Sequence, residues 1–155
     1  MKKTPLALVS CAALSLLLGG CAQVQQALAP APAAREGQEI DNTALYVRNG
    51  SAADNEPYFV RITKEYAESD QPLTGEAMVN AFSDAGFIKS DMQVSYDKTK
   101  INLDADSLFL SVRFGDECLI AQVGRAARDY VTDRAPVVGA DPGQCLIGQT
   151  RPIDW

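Results

Sequence analysis

The chain has 155 residues, with 14 basic and 20 acidic side chains, four cysteines and no histidine. A net charge of −6 without a basic cluster argues against nucleic acid, whose phosphates reward grouped Lys and Arg through counterion release. The missing imidazole excludes every Ser-His, Cys-His and His-metal arrangement, and the length suits one domain of ordinary size.

Lys2 and Lys3 precede an apolar run from Leu6 to Leu18, too short to span a bilayer comfortably, and Gly19-Gly20-Cys21 closes it. The run resembles a bacterial lipobox. Residues 1–20 are therefore expected to be a lipoprotein signal peptide, with Cys21 the acylated new N-terminus. The competing readings are an uncleaved helical anchor and an ordinary signal peptide with a chance cysteine. Ala22 follows, so no aspartate of the inner-membrane retention type is present and the membrane type stays open. Losing Lys2 and Lys3 leaves 12 basic against 20 acidic side chains, a net −8, which argues against the domain lying flat on anionic lipid.

Residues 21–54 read as a tether, rich in Ala, Gln and Pro around Ala29-Pro30-Ala31-Pro32. Such a chain favours polyproline II at about 3.1 Å per residue where Pro alternates, and over about 30 residues a coil of this kind holds the domain roughly 30 Å from lipid. Leu45 and Val47 are apolar enough to open the folded domain inside this stretch, so its start spans about ten residues.

Residues 55–155 form the predicted domain. Asn55-Glu56-Pro57 suggests a helix start, followed by Phe59, Ile62 and Tyr66 on one face. Thr74 caps a second helix with Met78, Ala81, Phe82 and Ala85 as its stripe and Gly86 as its stop. The period then changes to two. Met92 to Tyr96 predicts a short strand, and Ser107 to Phe114 alternates Leu108, Leu110, Val112 and Phe114 against Phe109, Ser111 and Arg113. Gly115-Asp116 fits a two-residue turn. It pairs Phe114 with Glu117, Val112 with Leu119, Leu110 with Ala121 and Leu108 with Val123, which puts both apolar sets on one face. The expected fold is α+β, two helices on one face of a small antiparallel sheet with one disulfide.

That disulfide is expected to join Cys118 and Cys145, against the reading of the two as a metal or redox pair. The two stand 27 residues apart, which matches no CxxC or compact zinc spacing, and the expected compartment is oxidising. With Cys11 removed and Cys21 acylated, these thiols have only each other. Cys118-Leu119-Ile120 recurs as Cys145-Leu146-Ile147, good strand sequence in both places. Between them Gly124 to Gly143 reads as a 20-residue loop, with Val137-Val138 returning to the core. Its Arg125, Arg128, Tyr130 and Arg134 form a candidate binding surface, against the plainer reading of a solvated loop.

Chemistry finds less support. Asp104-Ala105-Asp106 has the opening of a calcium loop, but Leu108 occupies the next ligand position and no Gly or bidentate Glu follows, so a polar strand start is the better reading. Ser90-Asp91, Ser95 and Lys98 make no catalytic pattern. Trp155 is expected to pack against the sheet.

Ala85-Gly86-Phe87, Asp91-Met92-Gln93-Val94, Ser111 to Asp116, the two Cys-Leu-Ile triplets and Arg151 to Trp155 together resemble a family of small actinobacterial lipoproteins with an uncharacterised paired-cysteine domain. The resemblance implies attachment to the outer face of an actinobacterial membrane through lipid on Cys21, and carries over no catalytic residue, metal or cofactor. The expected function is a non-enzymatic binding module for an envelope protein or ligand. The alternative is a small carboxylate-based hydrolase or metal-dependent enzyme.

Overall fold

A computed structural model describes residues 40–140 and 143–155. The predicted signal peptide, Cys21 and most of the tether lie outside the described residues. The order of elements is α1 (Ala52–Glu68), α2 (Gly75–Asp84), β1 (Met92–Ser95), β2 (Ser107–Phe114), β3 (Glu117–Gly124), β4 (Tyr130–Pro136) and β5 (Thr150–Arg151). The strands form one antiparallel sheet in the order β4-β3-β2-β1-β5.

Helix α1 starts earlier than Asn55. Ser51 is its N-cap, in a capping box with Asp54: each side chain accepts from the other residue's backbone N–H. Asn55 is instead fully buried inside the first turns, where its amide donates to the Val47 carbonyl at 3.1 Å and accepts from the Val47 N–H at 2.9 Å. This two-way bond ties the preceding strap to the helix, and Ala44 and Tyr46 of that strap pack against the core. The fold therefore begins ahead of residue 55, on the side of the boundary that Leu45 and Val47 had suggested. Helix α2 begins as read, with the Thr74 hydroxyl accepting from the Ala77 N–H.

The hairpin has the expected register at every pair, Phe114↔Glu117 through Leu108↔Val123. Gly115 has φ +65° and Asp116 does not share the positive sign, so the turn has the Gly-first form whose twist suits a hairpin. The inward sets meet both helices. Phe59 and Phe82 lie 5.1 Å apart between ring centroids, and Phe87 makes edge and tilted contacts with Tyr46, Tyr58, Phe59, Phe82 and Phe114. Val94, Leu108, Leu110, Leu119, Ala121 and Val123 close this core from the sheet side. Trp155 packs against its margin, with the Arg151 guanidinium 4.6 Å from the ring centroid.

Three further expectations need correction. Gly124 to Gly143 is not a continuous loop, because β4 occupies Tyr130–Pro136 and pairs with β3 from Val123↔Tyr130 to Glu117↔Pro136. Its Asp, Arg and Pro suit an edge strand with one neighbour, and those residues resemble a loop when read alone. Val138 does not return to the core; it is exposed and bridges to Gln144. The second Cys-Leu-Ile triplet is not a strand either, since Cys145 to Gly148 runs as bends across the sheet.

Candidate functional site

Alternation along β1, β2 and β3 sends Gln93, Ser95, Phe109, Ser111, Cys118 and Ile120 to the face away from the helices. A two-layer α+β domain leaves that face to water unless something covers it. Here the covering is the segment from Gly143 to Gln149. Cys145 bonds to Cys118 with Cα atoms 5.6 Å apart, and Gln93 Oε1 accepts from the backbone N–H groups of both Cys145 and Leu146, at 2.9 and 3.0 Å. Cys118 is fully buried beneath the segment, and Leu146 is buried as well.

The segment and the sheet enclose a cleft of about 310 Å³ lined by Ser95, Phe109, Ile120, Cys145, Leu146, Ile147 and Gln149. The lining is mainly apolar and holds no carboxylate, guanidinium or amine. The Ser95 hydroxyl is already engaged, accepting from the Phe109 N–H at 3.0 Å. Ile147 stands at the rim with 90% of its surface exposed. Nearby Ser111 Oγ is buried with no hydrogen-bond partner, a polar atom under the same cover.

The candidate arginines do not converge on this cleft or on one another. Arg125 Nε donates to the Ala105 carbonyl at 2.8 Å, joining the β3–β4 loop to the stretch before β2. Arg128, at φ 57°, donates to the carbonyls of Tyr66, Ala67 and Ser69 and lies over the Tyr66 ring. It supplies the positive charge that the last turn of α1 lacks in its own sequence. Arg134 bridges Glu56 of α1 and Glu117 of β3 at 3.0 and 2.9 Å. Register places Tyr130 and Arg134 on the helix side of the sheet, with Tyr130 partly packed on the core and its phenol pushed up by burial. Each of these four side chains thus works in packing or tying elements together.

Two carboxylates near the start of β2 and of α2 are similarly engaged. Asp104 pairs with Lys98 at 2.9 Å, and that hydrogen bond holds its carboxyl below the usual value. Asp97 accepts from the Gly75 N–H at the start of α2 and from Arg151. Among the described residues no three of Cys, Asp and Glu gather as a cation site.

The family model described as a domain of unknown function, DUF6993, matches residues 63–149, from the middle of α1 to the end of the covering segment. The chain belongs to the DUF6993 family. The matched span of this DUF6993 domain contains both cysteines, Gln93 and every residue of the cleft. No curated protein and no solved structure matches the chain.

The cleft was not among the sequence candidates. Its signal was present in Phe109 and Ile120, two large apolar residues on the hairpin face opposite the helices. Apolar residues on both faces of a sheet mean that a second cover exists.

Proposed function

We propose that this DUF6993 protein is a lipoprotein, acylated at Cys21 on the outer face of an actinobacterial cell membrane, and acts as a non-enzymatic binding module that receives an apolar group of an envelope protein or ligand in the cleft beside Cys145. The observation that carries the reading is the cleft itself: a preformed, mainly apolar recess without titratable groups, built on a segment fixed by a disulfide and by Gln93. Disulfides persist in oxidising compartments, which agrees with the lipobox-like run ending at Cys21. The binding site thereby moves from Arg125, Arg128, Tyr130 and Arg134, which hold the fold together, to the opposite face of the sheet.

The address and the activity are tested separately. Cys21→Ala should abolish acyl mass on the N-terminal peptide and release the protein from the membrane fraction; wild-type protein lacking acyl mass would reject the address. For binding, envelope cross-linking with wild-type bait is compared with Phe109→Ala and Ile147→Asp. Both variants should lose the captured partner while keeping the wild-type melting curve. Equal capture by both, or loss of capture only with Arg125→Ala or Arg134→Ala, would move the site away from the cleft.

A further inference from the structure

The strap before α1 exposes apolar side chains at the place where the tether joins the domain. Tyr46 turns inward against Tyr58 and Phe87, so its neighbours Leu45 and Val47 turn outward, and Leu45 is 76% exposed. Ile88 is exposed beside them, in a shallow recess that Tyr46 also lines. Arg48, exposed between these residues and helix α1, makes no ion pair with any described residue. The two-way bond between Asn55 and Val47 holds the strap in place, so the patch is displayed without rearrangement.

We infer that this end of the domain rests on the lipid surface, with Leu45, Val47 and Ile88 in the interfacial layer and Arg48 against lipid phosphates. The inference rests on acylation of Cys21. Nineteen residues separate Cys21 from Ile40 in sequence, a contour of at most about 70 Å, and Ile40 is where the described fold joins that stretch. Exposed aliphatics also occur at Ile101 and Leu103, in the loop between β1 and β2. That loop lies at the opposite end of β2 from the recess at Phe114 and Gly115, about 24 Å away at the rise of an antiparallel strand. The chain from Cys21 enters the described fold at the strap, five residues before Leu45, which favours this end. A patch of three aliphatics and one arginine binds lipid weakly by itself, but a short tether supplies a high local concentration of membrane. Asp91 and Arg113 line the same recess, so its charge is mixed and the attraction to lipid comes from the aliphatics and Arg48.

The test uses full-length acylated protein in vesicles containing phosphatidylglycerol, with an environment-sensitive fluorophore on Leu45→Cys, Ile88→Cys or, at the far end, Ile101→Cys. Leu45 and Ile101 are equally exposed, at 76% each, so the labels start from the same environment. The expected result is a blue shift and quenching by spin-labelled lipid at positions 45 and 88 and neither at 101. Arg48→Glu should weaken both effects on anionic vesicles and leave them unchanged on neutral ones. Flotation separates the two claims. Protein that floats with the vesicles while position 45 remains in water keeps the anchor and overturns the docking. Protein that does not float removes the anchor and the docking with it. A shift at 101 in place of 45 overturns the orientation, and shielding of position 45 only in whole cells assigns the patch to a protein partner instead of lipid.

Discussion

Replacing both Cys118 and Cys145 by Ala tests how far the fold depends on its bridge. The closed ring spans 27 residues, which by the chain-entropy relation restricts the unfolded chain by about 12 cal/mol/K, or about 3.5 kcal/mol at 25 °C. Cys118 is fully buried, so losing its sulfur adds a cavity cost of about 1 kcal/mol. The sum of about 4–5 kcal/mol is a large part of the roughly 5–15 kcal/mol that separates folded from unfolded domains. For a domain of about 100 residues it lowers the melting temperature by about 15–25 °C. Urea unfolding of the double variant beside wild type, each with and without reductant, measures the difference. Reductant should reproduce most of the loss in wild type and change nothing in the variant. A loss below about 1 kcal/mol would refute the reasoning and would mean that Gln93 and Leu146 suffice to hold the covering segment.

Arg128→Ala removes charged hydrogen bonds to three carbonyls at the end of α1 and should cost about 2 kcal/mol, read as faster hydrogen exchange at Tyr66 to Ser69 and a lower melting temperature. Arg128→Gly relieves the positive φ while losing the same bonds, so it should be less damaging than Ala. Burial raises the Tyr66 phenol above its usual value of 10.0, so its stabilising share is complete below pH 10 and is lost as pH rises through the folded value; Tyr66→Phe should flatten the alkaline arm of a pH–stability curve. Asp54 is held below 3.8, first by its bond from the Ser51 backbone, so its share is present above pH 3.8 and disappears as pH falls through the lower folded value; Asp54→Asn should reduce acid sensitivity there. Gly115→Val should destabilise the hairpin while Gly115→Asn is tolerated, since the space is open and only the positive φ restricts the choice.

The hairpin was legible because two independent constraints agree there: a period of two in β2 and β3, and a two-residue turn that fixes one register. Helix α2 was legible from Thr74 and Gly86. The start of α1 was not, because Asn55 two residues before Pro57 imitates a cap, whereas the working capping box pairs Ser51 with Asp54. Strand β4 escaped because an edge strand beside one neighbour tolerates Asp133, Arg134 and Pro136, and its most buried position is Thr132. The pairing of Cys118 with Cys145 followed from elimination, but the path of the second cysteine did not. Nothing local in Cys145-Leu146-Ile147 distinguishes a strand from a segment pinned across one. The arginines misled for a related reason. A sequence displays their charge and hides what consumes it: the carbonyls of α1 and of the stretch before β2 for Arg128 and Arg125, and the carboxylates of Glu56 and Glu117 for Arg134.

The two margins of the sheet bear on how copies of this domain behave when crowded. β5 contributes only Thr150 and Arg151, too short to seed a ladder. β4 ends on Pro136, which has no N–H to offer, and the Arg134 N–H is already taken by the Asp133 side chain at 2.9 Å. A neighbouring chain seeking to extend the sheet meets interrupted hydrogen bonding on one side and almost no strand on the other. Edge-to-edge extension of the sheet from copy to copy is therefore disfavoured at both margins.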